Sequence, residues 1–170
     1  MIRKFSNGYE LNSKILEGIN KLADNVATTL GPKGRNVILF HKEQGVPVIT
    51  KDGVTVAKFV QLEDPFENVG AQIVKQAAEQ SASKAGDGTT TATVLTRAIL
   101  QQAQKYLTAG VSPIEIKRGM DKACDAIVER LKEIAIPVRS EEDIRHIATI
   151  SANNDKSIGQ LISTAVDSAG

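Results

Sequence analysis

Tryptophan is absent from these 170 residues, and phenylalanine and tyrosine bring the aromatic share to only 4%. A chain so poor in rings offers few platforms on which unpaired bases could stack. Cysteine occurs once, at Cys124. No internal disulfide can form, and there is no thiolate cluster for zinc. A single cysteine of this kind is expected to be a small buried apolar residue, and a cytoplasmic or otherwise reducing compartment is the simplest assignment. No stretch approaches the roughly 18 apolar residues that read as a membrane span. The opening Met1-Ile2-Arg3-Lys4-Phe5 turns polar without the apolar run of a secretion signal. Neither sign of charge prevails, since 21 basic residues face 20 acidic ones for a net charge of +1. That balance implies no nucleic acid or other polyanion as partner. The glycine patterns of P-loop and dinucleotide-binding enzymes, Gly-x-x-x-x-Gly-Lys-Ser/Thr and Gly-x-Gly-x-x-Gly, are also missing.

What is present is a helical periodicity. Ile15, Leu16, Ile19, Leu22, Ala23, Val26, Ala27 and Leu30 recur on one face. Asn12 or Ser13 is placed to cap that helix and Gly31-Pro32 to stop it. The period then changes. Val37–Phe40 and Val46–Thr50 read as short strands joined by the polar loop Lys42-Glu43-Gln44-Gly45, a hairpin. Pro47, which has no amide to donate, puts this hairpin at a sheet edge, and such an edge needs cover. Val54, Val56 and Phe59-Val60 fit a further strand or an irregular extension.

From Pro65 the pattern is helical again, with Asp64 as cap and Phe66, Val69, Ile73, Ala77 and Ala78 on one face. Gly70 weakens that helix by about 1 kcal/mol relative to alanine, which points to a close approach by another element. A helix carrying Ala92, Leu95, Ala98, Ile99, Ala103 and Leu107 follows. Ser112-Pro113-Ile114-Glu115 starts a long one to about Ile134. Pro137 ends it and marks the expected domain boundary. Ser140 to Asp143 repeats the capping arrangement before a short helix through Ile147, and a last helix carries Ile158, Leu161, Ile162 and Val166. The expectation is a mainly α-helical chain with a small β-hairpin. The segment after Pro137, about 35 residues, is too small for a self-sufficient domain, so it reads as unfinished.

Three segments have chemistry to offer. Gly86-Asp87-Gly88-Thr89-Thr90-Thr91 puts flexible backbone, three hydroxyls and a helix start together, a combination suited to phosphate oxygens. Asp87 would repel bare phosphate but suits Mg²⁺ held against it. The plainer reading is a helix cap made by Asp87 or Thr89. The second segment, Thr29-Leu30-Gly31-Pro32-Lys33-Gly34-Arg35, can lie flat on a ligand or be a surface turn. In the third, Thr50-Lys51-Asp52-Gly53, Lys51 can offset phosphate charge and Asp52 can orient water or metal, or the two form a surface pair at the hairpin exit. His41 and His146 have no matching ligands, and Ser151 lacks a nucleophile-elbow setting.

Taken together and in order, these segments resemble the N-terminal part of the group I chaperonins, the bacterial and organellar sixty-kilodalton heat-shock proteins. The shared stretches run Thr29–Val37, Ile49–Val54, Glu67–Ala71, Ala85–Ala92, Lys117–Gly119 and Thr149–Asn153. The resemblance implies the first segment of an equatorial ATP-binding domain over 1–134 and the start of an intermediate domain over 135–170. It implies ATP and Mg²⁺ as cofactors, and a subunit that assists folding of non-native proteins by ATP hydrolysis. By the same resemblance, Thr29, Leu30, Gly31 and Pro32 touch the nucleotide and Asp87 coordinates Mg²⁺. Gly88, Thr89, Thr90 and Thr91 hold the phosphates. Lys51 and Asp52 lie near the terminal phosphate and attacking water, and Ile150 approaches the base. Asp52 plays a supporting catalytic part, because the family's principal catalytic aspartate comes much later than Gly170. The partners implied are identical subunits in a double ring, with the hairpin pairing against a neighbour. Non-native polypeptides and a cochaperonin would bind through an apical domain not contained here. The alternative is a catalytically inactive interaction fragment that keeps part of the nucleotide site.

Overall fold

The computed structural model describes residues 6–40 and 45–169. The loop at 41–44, with His41, lies outside the described residues, as do the first five residues and Gly170. The contacts divide the chain into two compact units, Met1–Pro113 and Ile114–Gly170.

The first unit is built around α1 (Gly8–Ala27), which buries Ile19, Leu22, Ala23 and Val26 as its periodicity predicts. Its N-cap is Asn7, not Asn12 or Ser13, and it ends at Ala27, short of Gly31-Pro32. The apolar stripe marks where a helix is buried, and exposed turns at either end can lengthen or shorten it. β1 (Val37–Phe40) and β2 (Pro47–Thr50) pair antiparallel, with Val37 opposite Thr50 and Phe40 opposite Pro47. Leu39 of this ribbon is buried in the core and Val37 packs half-buried against it, while Ile38, Phe40, Val48 and Ile49 are exposed.

The next segment corrects a strand expectation. Residues Gly53–Phe59 form α2, a helix rather than a strand or extension. The Asp52 carboxylate accepts hydrogen bonds from the amides of Val54 (3.3 Å) and Thr55 (2.9 Å) and from the Thr55 hydroxyl (2.5 Å). This cap, plus burial of Val56 and Ala57, outweighs the β preference of the valines. At the other end, Lys75 Nζ donates to the carbonyls of Lys58 and Val60, both at 3.0 Å.

α3 (Pro65–Ala85) starts as read, with Asp64 as cap and Pro65 in the first turn. Its buried face agrees at Ala78 and otherwise differs: Gly70, Ala71 and Val74 point inward, while Val69 and Ile73 are exposed. The reason is the crossing with α1. A Cβ on Gly70 would overlap the carbonyl oxygen of Ile15, and one on Gly18 would overlap that of Glu67. Two helices this close admit only small residues at the contact, so the larger side chains are turned away. α4 (Thr89–Thr108) buries Thr93 and leaves Leu95 and Ile99 exposed. It meets α1 through polar pairs, Arg97 with Asp24 and Gln101 with Asn20. The core of the unit is Ile19, Leu22, Val26, Leu39, Val56, Ala57, Ala71, Val74 and Ala78.

A charged staple closes the start of α3. Lys14 Nζ lies 2.9 Å from Asp64 Oδ2 and 5.6 Å from the Phe66 ring centroid. Asp64 Oδ1 accepts from the amides of Phe66 (2.8 Å) and Glu67 (3.2 Å). The Lys14 hydrogen bond first, then these amides, hold the Asp64 carboxyl down at about 2, against an ordinary 3.8. A carboxyl lower in the folded state stabilises fully above its unfolded value, and that contribution is lost as pH falls through the folded one. Asp64→Asn keeps an acceptor for the amides but cannot titrate. Its melting temperature is therefore expected below that of the wild type at pH 7, with the gap closing between about pH 4 and 2. A gap independent of pH in that window would refute the assignment.

In the second unit, α5 (Pro113–Ile134) buries no residue. Its charges pair along the helix, as in Lys117 with Asp121 and Arg130 with Glu133, which is the solvated face expected of alternating acids and bases. Ile127, Leu131 and Ile134 are exposed as well. Cys124 is exposed, against the expectation of a buried residue, because the helix that carries it buries nothing among the described residues. α6 (Glu141–Ser151) has the predicted capping box between Ser140 and Asp143. It runs to Ser151, a turn past Ile147, because its Ala148 is buried. α7 (Lys156–Ala169) packs back on α6. A Cβ on Gly159 would overlap the Thr149 hydroxyl, and buried Ser163 donates to the Glu141 carbonyl at 3.0 Å.

Candidate nucleotide site

The turn between α3 and α4 is shaped by two glycines in the left-handed region, Gly86 at φ 72° and Gly88 at φ 77°. Gly86 terminates α3 by donating to the Ala82 carbonyl, and Gly88 occupies the N-cap position of α4. A glycine there has no side chain to offer, so α4 takes no cap from its own N-cap residue. α2, α3 and α6 are instead capped by Asp52, Asp64 and Ser140. The capping alternative for Asp87 or Thr89 therefore does not describe this helix. Asp87 Oδ1 accepts from the Gly88 amide at 2.6 Å, and its carbonyl accepts from Ser81 Oγ at 2.7 Å. The backbone of the turn is thus tied down at the start of α4, the end of a helix whose dipole suits an anion.

Around that helix start the three sequence segments meet. Thr29 and Thr90 place their hydroxyl oxygens 3.3 Å apart, joining the end of α1 to the first turn of α4. Gly53 is buried against the same place, where a Cβ would overlap Thr90 Oγ1 and stand 3.3 Å from Thr89 Oγ1. The Gly31 bend begins from Thr29 and is held by two backbone hydrogen bonds, Gly34 to Gly31 at 2.9 Å and Arg35 to Thr28 at 2.8 Å. Leu30, Gly31, Pro32, Lys51, Asp52, Asp87 and Thr91 are all exposed. Burial pushes the Asp52 carboxyl up, but the Thr55 hydroxyl and amide, the Val54 amide and Lys58 together hold it below the ordinary carboxylate value. It is an anion at neutral pH. Its capping bonds leave lone pairs for a further partner, since a carboxylate accepts about four.

Ile150 belongs to the second unit, where it is 70% exposed on α6. Two residues with a part in this arrangement had no role in the sequence reading, Gly53 and Ser81. Gly53 had no signal that stood out, because a glycine suits the hairpin exit turn read there, and only the helix α2 shows that the turn does not need it. Ser81 had none, because only the tertiary turn brings its hydroxyl to Asp87.

Among the described residues, no three His, Cys, Asp or Glu side chains cluster. A fully protein-made metal cage is not what these residues offer. A single carboxylate near a helix start is a donor set that Mg²⁺ could use, since that ion keeps several waters and takes few protein ligands.

Residues 22–170 match the TCP-1/cpn60 chaperonin family. The chain belongs to that family. Among solved structures, it is similar to the chaperonin gp146 from the bacteriophage EL 2 (Pseudomonas aeruginosa), crystallised in the presence of ATP-BeFx. The TM-score is 0.76 at 26% sequence identity, over 92% of this chain. The same match spans 27% of the phage chaperonin. The mainly helical fold with its two-stranded ribbon is a chaperonin fold.

Proposed function

We propose that this chain is the N-terminal portion of a group I chaperonin subunit and supplies one side of its ATP site. The observation that carries the reading is the meeting of Thr29, Gly53 and Thr90 at a glycine-led helix start. The amides and hydroxyls of Thr89, Thr90 and Thr91, with Gly88, would hold phosphates. Asp87 would hold Mg²⁺, which when bound draws charge from the triphosphate. Thr29 to Pro32 give a bend without side-chain obstruction, and Lys51 adds positive charge. Asp52, an anion at neutral pH, is suited to orient a water. We assign 1–134 to the equatorial domain and 135–170 to the start of the intermediate domain.

In the intact protein, identical subunits would form the rings, and the exposed ribbon edge would pair with a neighbour. Non-native polypeptide and cochaperonin would bind elsewhere, and the compartment would be the cytoplasm. A second reading is an interaction fragment that keeps part of the nucleotide site without turnover. Calorimetric titration with ATP, with and without Mg²⁺, followed by an assay of phosphate release, tests both readings. Mg²⁺-dependent binding with phosphate release supports an autonomous ATPase. Binding without release supports the fragment, and no binding under either condition overturns the nucleotide site.

A further inference from the structure

The helix α2 opens with a glycine that local structure does not require. Its φ lies outside the left-handed region, so any L-residue could adopt the backbone. The cap is already supplied by Asp52. Glycine is, after proline, the poorest helix former, for entropic reasons. What position 53 does require is space. Gly53 is buried, and a Cβ there would overlap Thr90 Oγ1, with Thr89 Oγ1 and Val26 Cγ1 each at 3.3 Å. Thr90 has little room to yield. Its hydroxyl meets Thr29 on another side, and a threonine in a helix has only about two χ1 positions to choose from, so escaping the methyl means leaving Thr29.

We infer that Gly53 is a positioning residue for phosphate recognition: the missing side chain lets the start of α2 seat directly against α4 and so fixes the Thr90 hydroxyl. The inference rests on the nucleotide reading given above. Asp52 is the next residue, so the same seating sets the distance between the α2 carboxylate and the α4 amides. A methyl group at 53 has to push Thr90 away from Thr29 or lift α2 off α4. Either movement displaces a hydroxyl from the phosphate cradle, and neither removes a group that itself touches nucleotide.

The test is a double-mutant cycle on the whole chain with Gly53→Ala, Thr90→Ala and the double variant, reading Mg·ATP affinity by calorimetry and folding by thermal melting. Gly53→Ala is expected to weaken Mg·ATP by roughly tenfold to a hundredfold, the range for one lost hydrogen bond to a charged group. The double variant is expected to bind no worse than Thr90→Ala, because the hydroxyl through which Gly53 acts is already gone. A further variant, Gly53→Ala with Thr90→Ser, should regain part of the affinity, since serine can turn its hydroxyl away from the methyl. If Gly53→Ala fails to fold, the double variant, relieved of the overlap, should fold and match Thr90→Ala. Penalties that add, a Gly53→Ala variant that binds like the wild type, or a double variant that also fails to fold overturn the inference alone. A wild-type chain that does not bind Mg·ATP overturns the nucleotide reading as well.

Discussion

Replacing either Gly18 or Gly70 by valine is expected to unfold the first unit. Both glycines sit inside helices, where each is about 1 kcal/mol less favourable than alanine. Their placement is explained only by the crossing, in which Gly18 faces the carbonyl of Glu67 and Gly70 that of Ile15. An added side chain would run into backbone, which cannot turn aside as a flexible side chain can. The helices would have to separate, opening the layer formed by Ile19, Leu22, Ala71 and Val74. A loss above about 4 kcal/mol is expected, in the class of the most severe single substitutions. The control is Gly119→Ala on α5, where a Cβ meets nothing within 4 Å. That change should be neutral or stabilise by up to about 1 kcal/mol. Both tyrosines, Tyr9 and Tyr106, lie in the first unit and the chain has no tryptophan. Tyrosine emission during urea unfolding therefore follows this unit alone. A Gly70→Val variant that unfolds within about 1 kcal/mol of the wild type would show that α1 and α3 do not cross so closely.

The second large effect concerns the two carboxylates near the α4 start, which are expected to separate cleanly. Asp52 caps α2 through three hydrogen bonds, so Asp52→Ala should cost about 1 kcal/mol of stability, as for the loss of a cap. The N-cap residue of α4 is Gly88, not Asp87, and the proposed site gives Asp87 the metal. Asp87→Ala should weaken ATP binding by tenfold or more in the presence of Mg²⁺, roughly the worth of one charged ligand. Without Mg²⁺ its affinity should equal or exceed that of the wild type, because a negative charge next to phosphate has been removed. Calorimetry under the two conditions reads this directly. An Asp87→Ala variant that keeps its Mg²⁺ dependence would remove the metal role.

The amino-acid order alone determined much of this protein. Caps at Asp64 and Ser140, the proline at the start of α3, the stripe of α1 and the hairpin strands are all local signals, and the chain obeys them. The family resemblance was legible too, because it lies in short ordered motifs that do not depend on packing. Gly70 was identified as a point of close approach, but its neighbour across the gap was not. Four matters were settled only by tertiary structure. Val54 to Phe59 became a helix because Asp52 caps it and Val56 and Ala57 find a core. The buried face of α3 fell on Gly70, Ala71, Val74 and Ala78, since a close crossing selects small residues over the larger Val69 and Ile73. Cys124 stayed exposed because burial depends on what covers a helix, and periodicity records only a stripe. Last, Thr29, Gly53 and Thr90 lie far apart along the chain and came together through the packing of α1, α2 and α4. Sequence spacing carries no measure of that distance, and the distance decides whether these groups act on one ligand.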